Sequence, residues 1–296
     1  MLITIYVFMP YYVRVVAETP VAGQALVALA GQYAGWGVAL TAPLLGVIVD
    51  RLGPRKPALA LTVLLMIPIY AMMWFVYPGG PIGTTLFLCM LVAKSILFAW
   101  TEVFHNALLL PAAPGQTARA SGMGLAMGNA ISVAVLLFVM WAFSLPGVVS
   151  WGFVPATPLF GLDQAAHEPA RLAGPIVSIS LAIGLALILW GVPDVTGKGE
   201  KLSSAARKGV ADLKAMFSEL KREREAAKFL FARMLYADGK TAILLFSGVL
   251  AAGTMGWGTL EMLAYGILMS IVAVAGGFLA AWLDPRIGPK AAVLIE

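Results

Sequence analysis

Eight long runs of apolar residues, separated by short polar segments, dominate the chain. They cover residues 2–16, 24–49, 57–77, 83–110, 121–144, 174–192, 229–252 and 259–283. Most of them reach the roughly 20 residues that a helix needs to cross the hydrocarbon core of a bilayer. The pattern predicts an all-α polytopic membrane protein with about eight spans.

Both ends of the chain fall within apolar runs. Met1 directly precedes the first run, and a ninth run begins near Ala291 and stops at Glu296 after a few residues. The first run has no preceding basic segment and no small-residue cleavage site, so it is not a signal peptide. We therefore expect a chain that is truncated at both ends.

A further apolar stretch, residues 143–162, contains Pro146, Pro155 and Pro158. Proline removes a backbone donor, and three prolines would leave several unpaired backbone groups in lipid. We therefore predict an outer loop here, which serves as a structural cover or shapes an entrance, rather than another span.

Composition excludes the soluble alternatives. The 296 residues are 60% hydrophobic and only 12% charged, with a net charge of +5. A soluble enzyme, a disordered chain or a fibrous chain does not have this composition. Most of the 20 basic residues fall in four predicted inside loops, at 50–57, 111–120, 193–228 and 284–290, whereas the predicted outer loops 78–82 and 253–258 have none. This bias orients the protein in the membrane and explains the positive charge without a nucleic-acid partner.

The segment 193–228 is the only long polar part of the chain and predicts a division into three parts. Residues 1–192 would form an N-terminal half of six helices, 193–228 a cytoplasmic linker, and 229–296 a partial C-terminal half. Within the linker, Val210, Leu213, Phe217 and Leu220 recur at helical spacing, which predicts an amphipathic helix. Docking on the membrane surface and simple solvation of this helix both remain open.

A loop motif follows the second predicted span. Its defining positions are Gly46, Asp50, Arg51, Gly53, Arg55 and Lys56, with Pro54 in the turn. We expect Gly46 to let two helices approach closely, Gly53 and Pro54 to form a tight turn, and the basic residues to hold the loop inside. A degenerate copy follows the eighth span, with Asp284, Arg286, Gly288 and Lys290.

This spacing resembles the loop signature of the major facilitator superfamily. Segments 104–109 and 232–239 further resemble the bacterial relatives of the fungal vacuolar amino-acid effluxer. The resemblance implies two six-helix halves, the second incomplete here, in the inner membrane of a bacterium, with helices one, four, seven and ten along a central path. It also implies secondary active transport by alternating access. An Asp-Trp-Ala-Asn-Ser-like stretch that usually opens this branch is absent from the first run.

Ionisable residues within the spans are the candidate site. On the fourth span, Lys94, Glu102 and His105 fall on one helical stripe, with Asn106 beside it. The seventh span carries Tyr236, Asp238 and Lys240, and Asp238-Gly239 predicts a helix irregularity. Such groups are costly in lipid, so we expect either a substrate and ion path or structural ion pairs, such as Asp238 with Lys94 or Glu102 with Lys240.

The leading interpretation is therefore a transporter of a small polar solute, such as an amino acid or a related carboxylate. Its partners would be that solute, the lipid bilayer, and protons or another coupling ion. The alternative is a non-transporting remnant or a partner subunit of a split transporter. We expect no enzyme, cofactor or metal site, because the sequence offers no nucleophile–base pair, no phosphate-binding loop, and only His105, His167 and Cys89 far apart.

Overall fold

The structure is a computed structural model that describes residues 2–194, 200, 202–288 and 291. Within these ranges some side chains, including those of Phe217, Lys240 and Asp284, lie outside the described part. Helices form all the regular secondary structure of the described residues. The prediction of an all-α membrane protein is confirmed.

The first helix, α1, is irregular. Two π-helical turns, Thr4–Phe8 and Tyr12–Val16, flank the α-helical residues Met9–Tyr11. Pro10 has no N–H to donate, so a regular ladder of backbone hydrogen bonds cannot run through this segment. The side chains of α1 are nevertheless mostly buried, because other helices surround it.

The remaining helices follow the predicted spans closely. They are α2 (Pro20–Leu52), α3 (Lys56–Met72), α4 (Thr84–Ala112), α5 (Thr117–Val139), a short α6 (Glu168–Arg171), α7 (Ala173–Gly191), α8 (Leu202–Arg222), α9 (Arg224–Thr254) and α10 (Thr259–Ile287). A 3₁₀ turn, Met73–Phe75, extends α3, and a π turn, Met140–Ser144, extends α5. Thr19 caps α2 by accepting a hydrogen bond from the backbone N–H of Ala22 at 3.1 Å.

Six helices of the described residues are long and apolar enough to cross a membrane: Pro20–Leu52, Lys56–Phe75, Thr84–Ala112, Thr117–Ser144, Glu168–Gly191 and Leu260–Leu283. The predicted first and seventh spans coincide with α1 and α9, which are not among these six. Between α5 and α6 the chain forms only turns and the 3₁₀ turn Leu159–Gly161, in keeping with its prolines.

The core lies among the first helices. α2 packs against α4, while α3 packs against both α4 and α7. At the predicted outer end, the guanidinium of Arg171 lies 4.7 Å from the Trp74 ring centre and 4.5 Å from that of Tyr77, and its Nε donates to the Trp74 carbonyl. This buried arginine ties α6 to the end of α3.

The most extensive helix contact joins α5 to α10, on either side of the predicted linker. A Cβ added at Gly122 would lie 2.8 to 3.0 Å from atoms of Ala281, and one added at Gly277 would lie 2.9 to 3.1 Å from atoms of Ala126. The backbones therefore meet directly. Gly124 and Gly128, also on α5, make no such approach, because a Cβ at either would meet nothing within 4 Å.

The two kinds of glycine on α5 give a matched test of this contact. Gly122→Ala should lower the thermal unfolding midpoint of the purified protein, because the new methyl group meets backbone that must move, at a cost of about 1–3 kcal/mol. Gly124→Ala should leave the midpoint unchanged or raise it, since alanine favours helix by up to about 1 kcal/mol over glycine. Equal midpoints for the two variants would contradict the close α5–α10 contact.

Candidate functional site

The loop between α2 and α3 is held by its own residues. Gly53 has φ +96°, and its N–H donates to the Val49 carbonyl at 3.0 Å, so the chain leaves α2 through a conformation that favours glycine. Arg55 Nη2 donates to Asp50 Oδ1 at 2.9 Å. The acidic residue of the motif therefore pairs with the basic residue five positions later.

The same loop is tied to the end of α7. The carboxylate of Asp194 accepts hydrogen bonds from the backbone N–H groups of Arg55, at 2.9 Å, and Lys56, at 3.0 Å. Lys56 Nζ donates to the Leu189 carbonyl at 2.8 Å. An acidic side chain thus caps the start of α3, and a basic one satisfies the end of α7, as the helix dipoles favour.

Arg51 connects this loop to α8. Its Nη2 lies 2.6 Å from Asp212 Oδ2, and its Nη1 lies 3.7 Å from Glu200 Oε2. Lys208 donates a hydrogen bond to Glu200, and this contact, more than any charge effect, holds the pKa of the Glu200 carboxyl below its usual value. We call Arg51, Glu200, Lys208 and Asp212 the linker latch.

Apolar contacts accompany the linker latch. A Cβ at Gly209 would lie 3.4 Å from Val47 Cγ1, and Ala205 is fully buried. The helix α8 therefore packs against the predicted inner end of α2, a contact that neither membrane docking nor simple solvation of the linker includes.

One position of the loop motif, Gly46, differs from expectation. A Cβ at Gly46 would lie 3.9 Å from Val103, an ordinary contact, whereas one at Gly37 would lie 2.5 Å from Ile96. The close approach of α2 to α4 is therefore at Gly37.

In the second copy of the loop motif, Arg286 donates to the Trp282 carbonyl at 2.6 Å and stacks on its ring, while Gly288 has φ +81°. The side chain of Asp284 and all of Lys290 lie outside the described residues.

On α4, the predicted stripe divides into two environments. Phe104 and Leu108 are buried against α3 and α7. Glu102 and Asn106 lie on the opposite side of the helix and are exposed, as is His105. Lys94 is only 8% exposed and lines a cavity bounded by α1, α2 and α4. The expected pair of Lys94 with Asp238 is not formed.

On α9, Tyr236 and Asp238 are exposed, and the guanidinium of Arg233 lies 5.5 Å from the centre of the Tyr236 ring. The helix continues without interruption through Asp238 and Gly239, so the predicted irregularity is wrong. Glycine alone does not break a helix that tertiary contacts support. The side chain of Lys240 lies outside the described part. No three His, Cys, Asp or Glu side chains of the described residues could hold a metal ion.

Contacts join α1 and α2 to α9, to α10 and to the turn between these two helices. Arg14 Nη1 donates to the Trp257 carbonyl at 2.6 Å. The rings of Tyr6 and Tyr265 meet edge to face at 5.6 Å, and Gln24 lies against Gly253. The sequence analysis did not identify Thr4 or Tyr6 as candidate functional residues, because both lie within the first apolar run. The only sequence signal was a hydroxyl group on each of these side chains among apolar neighbours.

Comparison with known proteins identifies one family. The family described as "Vacuole effluxer Atg22 like" matches residues 114–295, well over half of the chain. No curated protein and no solved structure matches the chain. The matched region begins just before α5 and includes α8, α9 and α10.

The linker latch can be tested with two acidic residues on α8. Asp212→Asn should increase the rate at which trypsin cleaves the linker, because the variant loses its charge-assisted contact with Arg51. Glu219→Gln, an exposed position on the same helix, should leave that rate unchanged. High salt should raise the cleavage rate of the parent protein towards that of Asp212→Asn. Identical rates for both variants and the parent would contradict the latch.

Proposed function

Since the chain belongs to the vacuole effluxer Atg22-like family, we propose that it is a secondary active transporter that moves a small polar solute across the membrane by alternating access. The solute is an amino acid or a related carboxylate, and the membrane is the bacterial inner membrane. Residues 1–192 and 229–296 act as parts of two halves, with 193–228 as the linker between them. The residues of the solute and ion path are Lys94, Glu102, His105, Asn106, Tyr236, Asp238 and Lys240.

The observation that carries this proposal is that the two proposed parts pack against each other while a carboxylate on each part remains exposed. Arg14 contacts the Trp257 carbonyl at the predicted outer end, and α5 meets α10 at Gly122 and Ala281 near the predicted inner end. Deeper along the bundle, Glu102 and Asp238 remain exposed. Two packed parts that carry ionisable groups within their spans are a common way to build a secondary transporter.

We assign the coupling of transport to proton movement to the carboxylates of Glu102 and Asp238. Ionisable groups within a membrane segment are expensive unless water or a partner stabilises them, and in transporters they commonly carry protons. Glu102 and Asp238 are on different halves of the proposed division. Protonation of either one changes the charge that faces the path, so the cost of closing the path around it also changes.

Reconstitution into proteoliposomes tests the proposed function. The parent chain should release a preloaded mixture of radiolabelled amino acids, and release should respond to an imposed pH gradient. Glu102→Gln should abolish the response to the gradient and lower the release rate by about tenfold, which corresponds to about 1.4 kcal/mol in the transport barrier. The measurement is the initial rate of release with and without the gradient.

Glu225→Gln is the matched control, because Glu225 is an exposed carboxylate that pairs with Lys228 in the linker region. It should transport and respond to pH like the parent. Solute release that ignores the pH gradient in the parent would reject proton coupling. No release of any tested amino acid or carboxylate would reject the proposed transport activity of this chain.

A further inference from the structure

A small cavity lies inside the first half of the protein, away from the exposed carboxylates. Its volume is about 40 Å³, and it is bounded by α1, α2 and α4. Apolar side chains form much of its wall, including Met9, Val27 and Leu91. Lys94 and two hydroxyl-bearing residues, Thr4 and Ser95, supply its polar lining.

Lys94 is a buried cation without a counter-charge among the described residues. Its side chain is 8% exposed, and no carboxylate of the described part lies within ion-pair distance. Its ammonium group faces an aromatic ring, because Nζ lies 5.9 Å from the centre of the Tyr70 ring. An ammonium group removed from water without an anion carries a desolvation penalty of several kcal/mol, which a single cation–π contact of about 2 kcal/mol does not offset.

The buried hydroxyl group of Thr4 also indicates that a ligand binds in this cavity. Thr4 Oγ1 is fully buried and has no hydrogen-bond partner among the described residues. A buried polar atom without a partner costs about 1–3 kcal/mol, so such atoms are usually satisfied by a bound species. Lysine ammonium groups are pure donors, and threonine and serine hydroxyls can donate as well. A ligand that accepts from all three is an anion.

The size of the cavity limits the ligand. About 40 Å³ exceeds the 10–15 Å³ that one water molecule requires, yet it is too small for a whole amino acid. It suits one halide ion or one carboxylate group. The single positive charge matches one negative charge, and the apolar wall disfavours a multiply charged, strongly hydrated anion.

We propose that the Lys94 cavity is a binding site for one small monovalent anion, held by Lys94 Nζ with the hydroxyl groups of Thr4 and Ser95. The anion is either a free halide or the carboxylate group of the transported solute. The carboxylate source rests on the transport function proposed above, whereas binding itself does not. The cavity lining does not include Glu102 or Asp238, which are exposed.

Thermal unfolding of the purified chain in detergent tests the site. The unfolding midpoint is measured at constant ionic strength while sodium chloride, or sodium acetate, replaces sodium sulfate. The parent should show a midpoint that rises along a saturating curve with at least one of the two anions, because a ligand that binds only the folded state stabilises it. Lys94→Met should lose the saturating part of the curve.

Two further variants make the test specific. Lys228→Met removes an exposed lysine and should retain the full anion response. Thr4→Val keeps the shape of the side chain but removes the hydroxyl, and should raise the half-saturating anion concentration by about tenfold, as expected for one hydrogen bond to a charged group. Thr4→Val also provides the test if Lys94→Met does not fold.

The outcomes separate the sources and the alternatives. Saturation by chloride assigns a free anion, and saturation by acetate but not chloride assigns a carboxylate. Equal responses from the parent, Lys94→Met and Thr4→Val would overturn the proposal, and so would a parent that responds to neither anion, since the cavity would then hold only water. Intact anion binding in a chain that fails to transport would reject the transport function and leave the anion site standing.

Discussion

The hydrocarbon core of a bilayer has no water to pair with backbone N–H and C=O groups, and the organisation of this chain follows from that constraint. Every segment that crosses must satisfy its own backbone, so the described spans are helices. Irregular backbone is confined to places that other helices cover. The π turns of α1 around Pro10 are the clearest case, because Tyr6, Phe8 and Tyr12 are buried by their neighbours. Because most side chains of these helices are apolar, other features must determine which helices pack together. These features are the direct backbone approach at Gly122 and Gly277 and the polar contacts at the two ends of the bundle.

Those end contacts differ in kind. At the predicted inner end, charges pair with charges and with helix termini: Asp194 caps α3, Lys56 reaches the last turn of α7, and Arg51 joins α8. Such pairs are partly exposed to solvent, individually weak and sensitive to salt. At the predicted outer end, arginines bind carbonyl oxygens and aromatic faces, as Arg14 does at Trp257 and Arg171 at Trp74. The inner contacts hold loops and the linker in place, whereas Arg14 joins α1 to the turn between α9 and α10.

Apolar run length and charge asymmetry were enough to predict the class of protein and nearly all helix positions, because both features depend only on the order of residues along the chain. Contacts between helices were not predicted in the same detail. Gly122 and Gly124 stand two residues apart on α5, yet only Gly122 meets α10, and no spacing rule distinguishes them. Lys94 and Glu102 share a helical stripe, but α1 and α2 cover only Lys94. The predicted break at Asp238-Gly239 is absent, since a local preference of about 1 kcal/mol is easily overridden.

Helix α1 contacts both the Lys94 cavity and α10. Thr4 and Ile5 line the Lys94 cavity, while the next residue, Tyr6, packs its ring against Tyr265 of α10. A Cβ at Gly266 would lie 2.7 Å from the Tyr6 ring, so α1 and α10 cannot shift against each other without moving that side chain. Because interiors are close-packed, a displacement of α10 is transmitted to the wall of the cavity rather than absorbed. If an anion occupies the Lys94 cavity, its affinity must therefore differ between arrangements of α10, and by linkage its binding must favour one arrangement. A cation buried among α1, α2 and α4 can in this way influence the position of α10 without touching it.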